Sequence, residues 1–211
     1  MSTGLAARQS WQWNSERLPE PARVVRWGHF GAPVLLFPTA GGDYEEVERF
    51  KLIHVLGPLI DTGRIKVYSI DSVAGKTWLA GSHSPEYCSR VQNLFDSYIY
   101  NEIVPHIRRD CASSHLEIIA AGASIGAFNA VASVCRHPDA FRLAIDCTQQ
   151  IHRKVDVHAL DLATRTRSVC QIQMRTEVLP RIVHLIEARC AEGLRLRGTA
   201  LLRLRARAEL R

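Results

Sequence analysis

Leu116-Glu117-Ile118-Ile119-Ala120-Ala121-Gly122-Ala123-Ser124-Ile125-Gly126-Ala127-Phe128-Asn129-Ala130 decides how this chain folds. An apolar run of strand length enters a Gly-x-Ser-x-Gly pentad, and an Ala-rich stretch reaching Cys135 leaves it. Strand, sharp turn and helix in that order form a setting that lifts a serine clear of a sheet edge on a strained backbone. Glycines, lacking Cβ atoms, let strand and helix close on each other there. The helix beginning beside Ser124 would aim free backbone N–H groups and the positive end of its dipole at the place where an oxyanion forms. Ser124 is therefore the candidate nucleophile, and the Ile125 N–H the first candidate oxyanion donor. The same residues could serve close helix–strand packing and nothing more; the strand before and the helix after favour chemistry.

A second segment supports that reading. Ala32-Pro33-Val34-Leu35-Leu36-Phe37 is a short apolar run, and Pro38-Thr39-Ala40-Gly41-Gly42-Asp43 is a turn-rich loop before the charged, helix-compatible residues 44–50. Acyl transfer at such a sheet edge needs a second backbone N–H, supplied from the loop after an early strand. Ala40, with Gly41 as the neighbouring alternative, is placed to give it.

Outward from these two segments the chain alternates between strand and helix patterns. Residues 1–20 read as polar and loop-like, Ala22–Trp27 as a first strand and residues 34–37 as a second. Residues 44–59 predict a helix with Val47, Phe50, Leu52, Ile53 and Leu56 on or near one face, ending by Gly57-Pro58 or, if kinked there, near Gly63. Ile65–Ile70 alternates as a strand whose end, Asp71-Ser72, falls on the carboxyl edge where ligands gather in such sheets. A loop over 75–85, one long helix over 86–110, either continuous or broken before Pro105, a strand over 116–121, a helix over 125–135 and a strand beginning at 142–145 complete the pattern. This is an α/β fold, a mostly parallel sheet flanked by helices.

At 211 residues, 46% hydrophobic and 23% charged, the chain can bury one sizeable core. No run approaches eighteen apolar residues and no apolar segment follows a basic N-terminus, so neither a membrane span nor standard secretion is expected, and a cytoplasmic setting is. Six cysteines without a C-x-x-C pair suit reduced thiols better than a disulfide framework or a zinc site. Ala74-Gly75-Lys76-Thr77 resembles the end of a phosphate-binding loop, but the spacing needs glycine at position 70 and finds Ile70. His152 and His158 are six apart, a poor metal pair. Asp71 could line the pocket or cap a turn, and Trp78 could wall an acyl pocket or simply pack.

The runs Val25 to Asp43, Val67 to Ser72 and Gly122 to Ala127 resemble the bacterial esterase branch of the α/β-hydrolase superfamily, the branch of esterase D, enterochelin esterase and the mycolyltransferases. The resemblance covers roughly residues 20–145. It implies an eight-stranded, mostly parallel sheet, no cofactor, a small-molecule ester substrate, and a Ser, acid, His triad in that chain order. Carried over by position, it supports Ser124 as nucleophile and Ile125 and Ala40 as oxyanion donors. The implied activity is that of a serine-dependent esterase working through an acyl-enzyme; no nucleic-acid partner is expected, and the sequence leaves the oligomeric state open.

After Ile145 the resemblance ends. All fifteen aromatic residues lie at or before Phe141. Lys and Arg number 14 before residue 146 and 13 after it, whereas Asp and Glu number 14 and 7, so the last 66 residues carry the whole net charge of +6. The expected division is an α/β-hydrolase core over 1–145 and an atypical, Arg-rich tail over 146–211, so that the C-terminal part of the fold is incomplete or aberrant. A shifted reading frame is the favoured source of that tail; a basic appendage for nucleic acid or an acidic membrane surface, and a diverged half of the same fold, stand beside it. Downstream of Ser124 the histidines are His137, His152, His158 and His184, with Asp156, Asp161, Glu177 and Glu187 as acids. His137 follows the nucleophile helix in an Arg-His-Pro-Asp turn that reads as structural, and none of the rest is framed by a strand end. The alternative function is accordingly a non-catalytic or truncated hydrolase-like protein without a complete triad.

Overall fold

Six strands pair into one sheet in the order β1-β2-β4-β3-β5-β6 in a computed structural model that describes residues 7–146. The strands are β1 Arg8–Trp13, β2 Ala22–Trp27, β3 Ala32–Phe37, β4 Ile65–Ile70, β5 Ile118–Gly122 and β6 Phe141–Asp146. β1 and β2 are antiparallel to their neighbours, while β4, β3, β5 and β6 run parallel. β4 and β5 are buried along their whole length and β3 along all but its first residue, as expected of strands covered on both faces.

Side-chain alternation divides the core between the two faces. Leu35 and Phe37 of β3 join Tyr68 and Ile70 of β4 on one face, under α4 (Pro85–Tyr98), α5 (Val104–Asp110) and α6 (Ile125–Arg136). Val34, Leu36 and Val67 face the other way, under α2 (Leu52–Asp61) with its buried Ile53, Leu56 and Ile60. Two short helices, α1 (Glu46–Arg49) and α3 (Val73–Leu79), follow the carboxyl ends of β3 and β4.

Three elements depart from the sequence reading. β1 occupies part of the stretch read as loop; its signal is only Trp11 and Trp13, which stand 4.6 and 5.0 Å from the buried His106 ring of α5 and tie the edge strand down. The helix over 44–59 is two helices, because Lys51 adopts a left-handed φ of 60° between α1 and α2. Part of the 75–85 loop is α3. The helix over 86–110, by contrast, follows the continuous of its two readings, passing from α4 to α5 through a π-helical turn, Ile99–Ile103.

Toward the amino end of β4, a buried ionic cluster joins β2 and β4 to α5. The Lys66 ammonium, 4% exposed, lies 2.8 Å from the Asp110 carboxylate, which also receives the Tyr68 hydroxyl at 2.6 Å and the Arg26 guanidinium at 3.1 Å. Burial opposes ionisation of Asp110, but the Lys66 and Tyr68 hydrogen bonds and the Lys66 and Arg26 charges outweigh it and hold its carboxyl below the ordinary carboxylate range. Above the denatured-state value near 4 this group adds stability, and that contribution disappears as pH falls through its depressed folded value. Asp110→Ala, which strands Lys66 without its counter-charge, is expected to cost about 3 kcal/mol in urea unfolding at pH 7. The same substitution should flatten the stability curve below pH about 4.

His106 gives a second pH signature. Burial lowers its pKa; the Asp110 charge opposes this, while Arg109, Arg26 and Lys66 add to it. Among the described residues its Nε2 has no hydrogen-bond partner. A base whose folded pKa lies below its denatured value takes up its proton on unfolding first, so stability should decline as pH drops below about 6.5. Unfolding midpoints between pH 7.5 and 5.5 measure this, and His106→Phe should remove most of the slope.

Candidate active site

Ser124 occupies the turn between β5 and α6 with φ 59° and ψ −128°, outside the regions that a residue bearing Cβ prefers. Such a conformation costs on the order of 1–3 kcal/mol and persists only where the surroundings impose it. They do so here. The Gly126 N–H donates to the Ala123 carbonyl at 2.9 Å, and the Ala127 and Phe128 N–H groups donate to the Ser124 carbonyl at 3.0 and 3.2 Å. A Cβ on Gly122 would collide with the backbone of Gly126, and one on Gly126 would collide with the Phe37 carbonyl oxygen and approach that of Pro38 to 2.7 Å. Both pentad glycines are thus required for the approach of backbone to backbone. The Ser124 side chain is half-buried and makes no hydrogen bond among the described residues.

Ile125 is the first residue of α6, where helix geometry leaves its N–H without an intrahelical acceptor. Ala40 lies in the loop after β3, and its N–H has no hydrogen-bond acceptor among the described residues. The Gly126–Phe37 contact brings the start of α6 against the start of that loop. From below, α3 supports the same loop: a Cβ on Gly75 would lie 2.8 Å from the Ala40 Cα and 3.0 Å from its carbonyl oxygen. Gly75, part of the segment that resembled a phosphate-binding loop, is therefore a packing glycine beneath Ala40. It also explains why a helix forms over a stretch whose glycine argues against one, since close approach to the loop needs that missing side chain.

Asp71, at the carboxyl end of β4, is buried and committed to backbone. Its Oδ2 accepts the Arg23 N–H at 2.7 Å and its Oδ1 the Tyr44 N–H at 3.2 Å. The turn role holds, and this carboxylate fixes where β2 begins and where the loop after β3 ends. Trp78 is half-buried on α3. Gly41 lies beside Leu79 of the same helix, its Cβ position 3.4 Å from Leu79 Cδ2. Glu46 was not singled out in the sequence, yet it is buried against Thr39; an acidic residue in the charged stretch 44–50 carries no mark that would reveal it.

Among the described residues no histidine hydrogen-bonds Ser124. His137 ends α6, roughly 18 Å along a helix of twelve residues from the serine. There its Nε2 stands 3.2 Å from Asp96 and its ring stacks on Tyr100 at 4.2 Å, a structural arrangement. His29, His54, His83 and His115 are exposed. The candidates His152, His158, His184, Asp156, Asp161, Glu177 and Glu187 lie outside the described residues, as does nearly all of the Arg-rich tail over 146–211. A cavity of about 550 Å³ opens among Ala32, Pro33, Arg108, His115 and Arg142, where β3 and β6 begin. It is therefore at the sheet edge opposite Ser124.

No protein-family model and no curated protein matches the sequence. Solved structures do. A ferulic acid esterase shares 12% identity at a TM-score of 0.50, covering 68% of this chain and 61% of its own. An S-formylglutathione hydrolase from Agrobacterium tumefaciens shares 13% at 0.51, covering 70% and 60%. The enterochelin esterase of Shigella flexneri shares 14% at 0.51, covering 87% and 49%. At such identities the likeness is one of fold alone: the chain has an α/β-hydrolase-like fold. It spans 49–61% of the length of these three structures. No helix among the described residues is long and apolar enough to cross a membrane.

The strain at Ser124 is directly measurable. Ser124→Gly relieves the positive-φ cost, whereas Ser124→Ala keeps it, so the glycine variant is expected to be the more stable by about 1 kcal/mol in urea unfolding. Gly126→Ala, which sets a methyl group against the Phe37 carbonyl, should instead lower stability by about 2 kcal/mol or more in the same assay.

Proposed function

We propose that this chain carries the nucleophile half of a serine-dependent esterase acting on a small-molecule carboxylic ester through an acyl-enzyme, in a cytoplasmic setting. The observation that carries the reading is the left-handed Ser124 at the head of α6, forced there by two glycines, its side chain hydrogen-bonded to nothing among the described residues. In this mechanism the Ser124 Oγ attacks the acyl carbonyl, its proton passes to a histidine, and the tetrahedral oxyanion accepts hydrogen bonds from the Ile125 and Ala40 N–H groups. The alcohol leaves with a proton from that histidine, and water then releases the acid. Residues 1–145 are the proposed core, and the segment from 146 onward is where the acid and base of such a triad belong in chain order.

One observation favours a second reading. A serine hydroxyl is a weak nucleophile without a base, and none of the described histidines touches Ser124. A hydrolase-like protein that keeps the turn but performs no chemistry fits that fact. Sequencing the locus bears on the difference: a frame shift after about residue 145 that restores an Asp followed by a His would make this chain a damaged copy of the esterase. On purified full-length chain, the esterase reading expects fluorophosphonate labelling at Ser124 and hydrolysis of a short p-nitrophenyl ester. Ser124→Ala should lower kcat about a million-fold. Turnover that survives in this variant overturns the assignment, and absence of both labelling and turnover in the parent chain selects the non-catalytic reading.

A further inference from the structure

We infer that Glu46 is a dedicated clamp of the Pro38–Asp43 loop and, through it, the positioning residue of the Ala40 amide; the second half of this statement rests on the esterase reading above. Glu46 is 4% exposed, and no cation lies within salt-bridge distance of it among the described residues. Both carboxylate oxygens are occupied by one residue: Oε1 accepts the Thr39 N–H at 2.9 Å and Oε2 accepts the Thr39 hydroxyl at 2.6 Å. Thr39 immediately precedes Ala40. The Arg49 charge acts on Glu46 only from beyond salt-bridge distance, and a carboxylate removed from water is costly unless its oxygens are hydrogen-bonded, so this pair of bonds is what chiefly makes the burial tolerable. The dependence is mutual, because the Thr39 N–H would be left without an acceptor if the carboxylate were removed.

The surrounding loop is built around this contact. The Gly42 N–H closes the turn on the Thr39 carbonyl at 2.9 Å, and a Cβ on Gly42 would collide with Glu46 Oε2 while meeting Pro38 Cβ at 2.7 Å. The Glu46 N–H in turn donates to the Asp43 carbonyl at 3.0 Å, so the loop is bonded to α1 at both ends. With Thr39 fixed from α1 and Ala40 packed on Gly75 of α3, the Ala40 peptide is held from two independent elements. A donor held in this way needs no reorganisation when an oxyanion develops.

Three variants of the full chain separate this role from general stability and from charge. In amide exchange measurements, Glu46→Ala should speed exchange at the Thr39 and Gly42 amides by about tenfold or more, with β4 and β5 amides still protected. Glu46→Gln should restore protection to within about threefold, because its amide oxygen can take the Thr39 N–H and its NH₂ can donate to the hydroxyl in the reverse sense. Should Glu46→Ala fail to fold, Thr39→Val removes the hydroxyl arm alone and should speed exchange at Gly42 by a smaller factor. In active protein, Glu46→Ala should lower kcat by about tenfold or more toward the p-nitrophenyl ester with KM within about threefold, and Glu46→Gln should recover most of the loss.

Unchanged loop exchange in Glu46→Ala overturns the proposal. So does a glutamine variant as defective as the alanine one, or, in an active chain, a kcat that does not move. If the parent chain shows no turnover, the esterase reading fails and the clamp is still decided by exchange at Thr39 and Gly42.

Discussion

The contact between Gly126 and the Phe37 carbonyl oxygen is the constraint on which the rest of this structure turns. It sets the first turn of α6 directly on the end of β3, two elements that are not consecutive in the chain. β3 and β5 pair in parallel, Phe37 opposite Gly122, so their carboxyl ends are already level. Only glycine at 126 lets the helix follow without tilting away, and only glycine at 122 lets the turn fold back over the strand. The left-handed backbone at Ser124 is the geometric remainder of those two approaches. Strain is localised there because the strands on either side of β5 prevent it from spreading into the sheet.

What was legible in the sequence follows from this economy. The buried parallel strands β3 and β5 are nearly continuous apolar runs, while Ala22–Trp27 and Ile65–Ile70 interleave polar with apolar residues, and all four fall where those patterns put them. Glycine spacing exposed the turn, since backbone-to-backbone approach leaves no substitute for a missing Cβ. The elements that were not legible depend on partners distant in the chain. β1 is a strand because two tryptophans find His106 almost a hundred residues away, and its other residues are polar. Lys51 breaks a helical pattern without a glycine or proline to announce it. Gly75 reads locally as a loop former and acts instead as the point where a helix meets the Ala40 loop.

Polar residues were the hardest to place for the same reason. Asp71 was marked by its place at a strand end, whereas Glu46 and Asp110 are carboxylates in a chain with many, and nothing in their neighbours distinguishes them from solvated charges. Asp71 and Asp110 close gaps between segments far apart in sequence, β2 with the loop after β3 and β4 with α5, while Glu46 joins that loop to α1 across seven residues. An acidic side chain can accept several hydrogen bonds at once, which suits it to satisfy backbone amides where strands end and regular pairing stops. The burial of such groups is a tertiary fact that pattern alone does not carry.

The distribution of these groups separates two tasks. At the edge where β4 begins, the Lys66–Asp110–Tyr68–Arg26 cluster combines opposite charges, so each ion is neutralised close at hand and the arrangement serves cohesion. At the carboxyl edge Asp71 and Glu46 accept hydrogen bonds from backbone amides, and two further amides, those of Ile125 and Ala40, have no hydrogen-bond acceptor among the described residues. The first amides of a helix are open by geometry alone, so the Ile125 N–H by itself says nothing about chemistry. Under the proposed esterase reading the pairing of the two is what matters: an anion-binding edge needs donors held in place before charge develops, and a buried carboxylate fixing the loop that carries one of them meets that need.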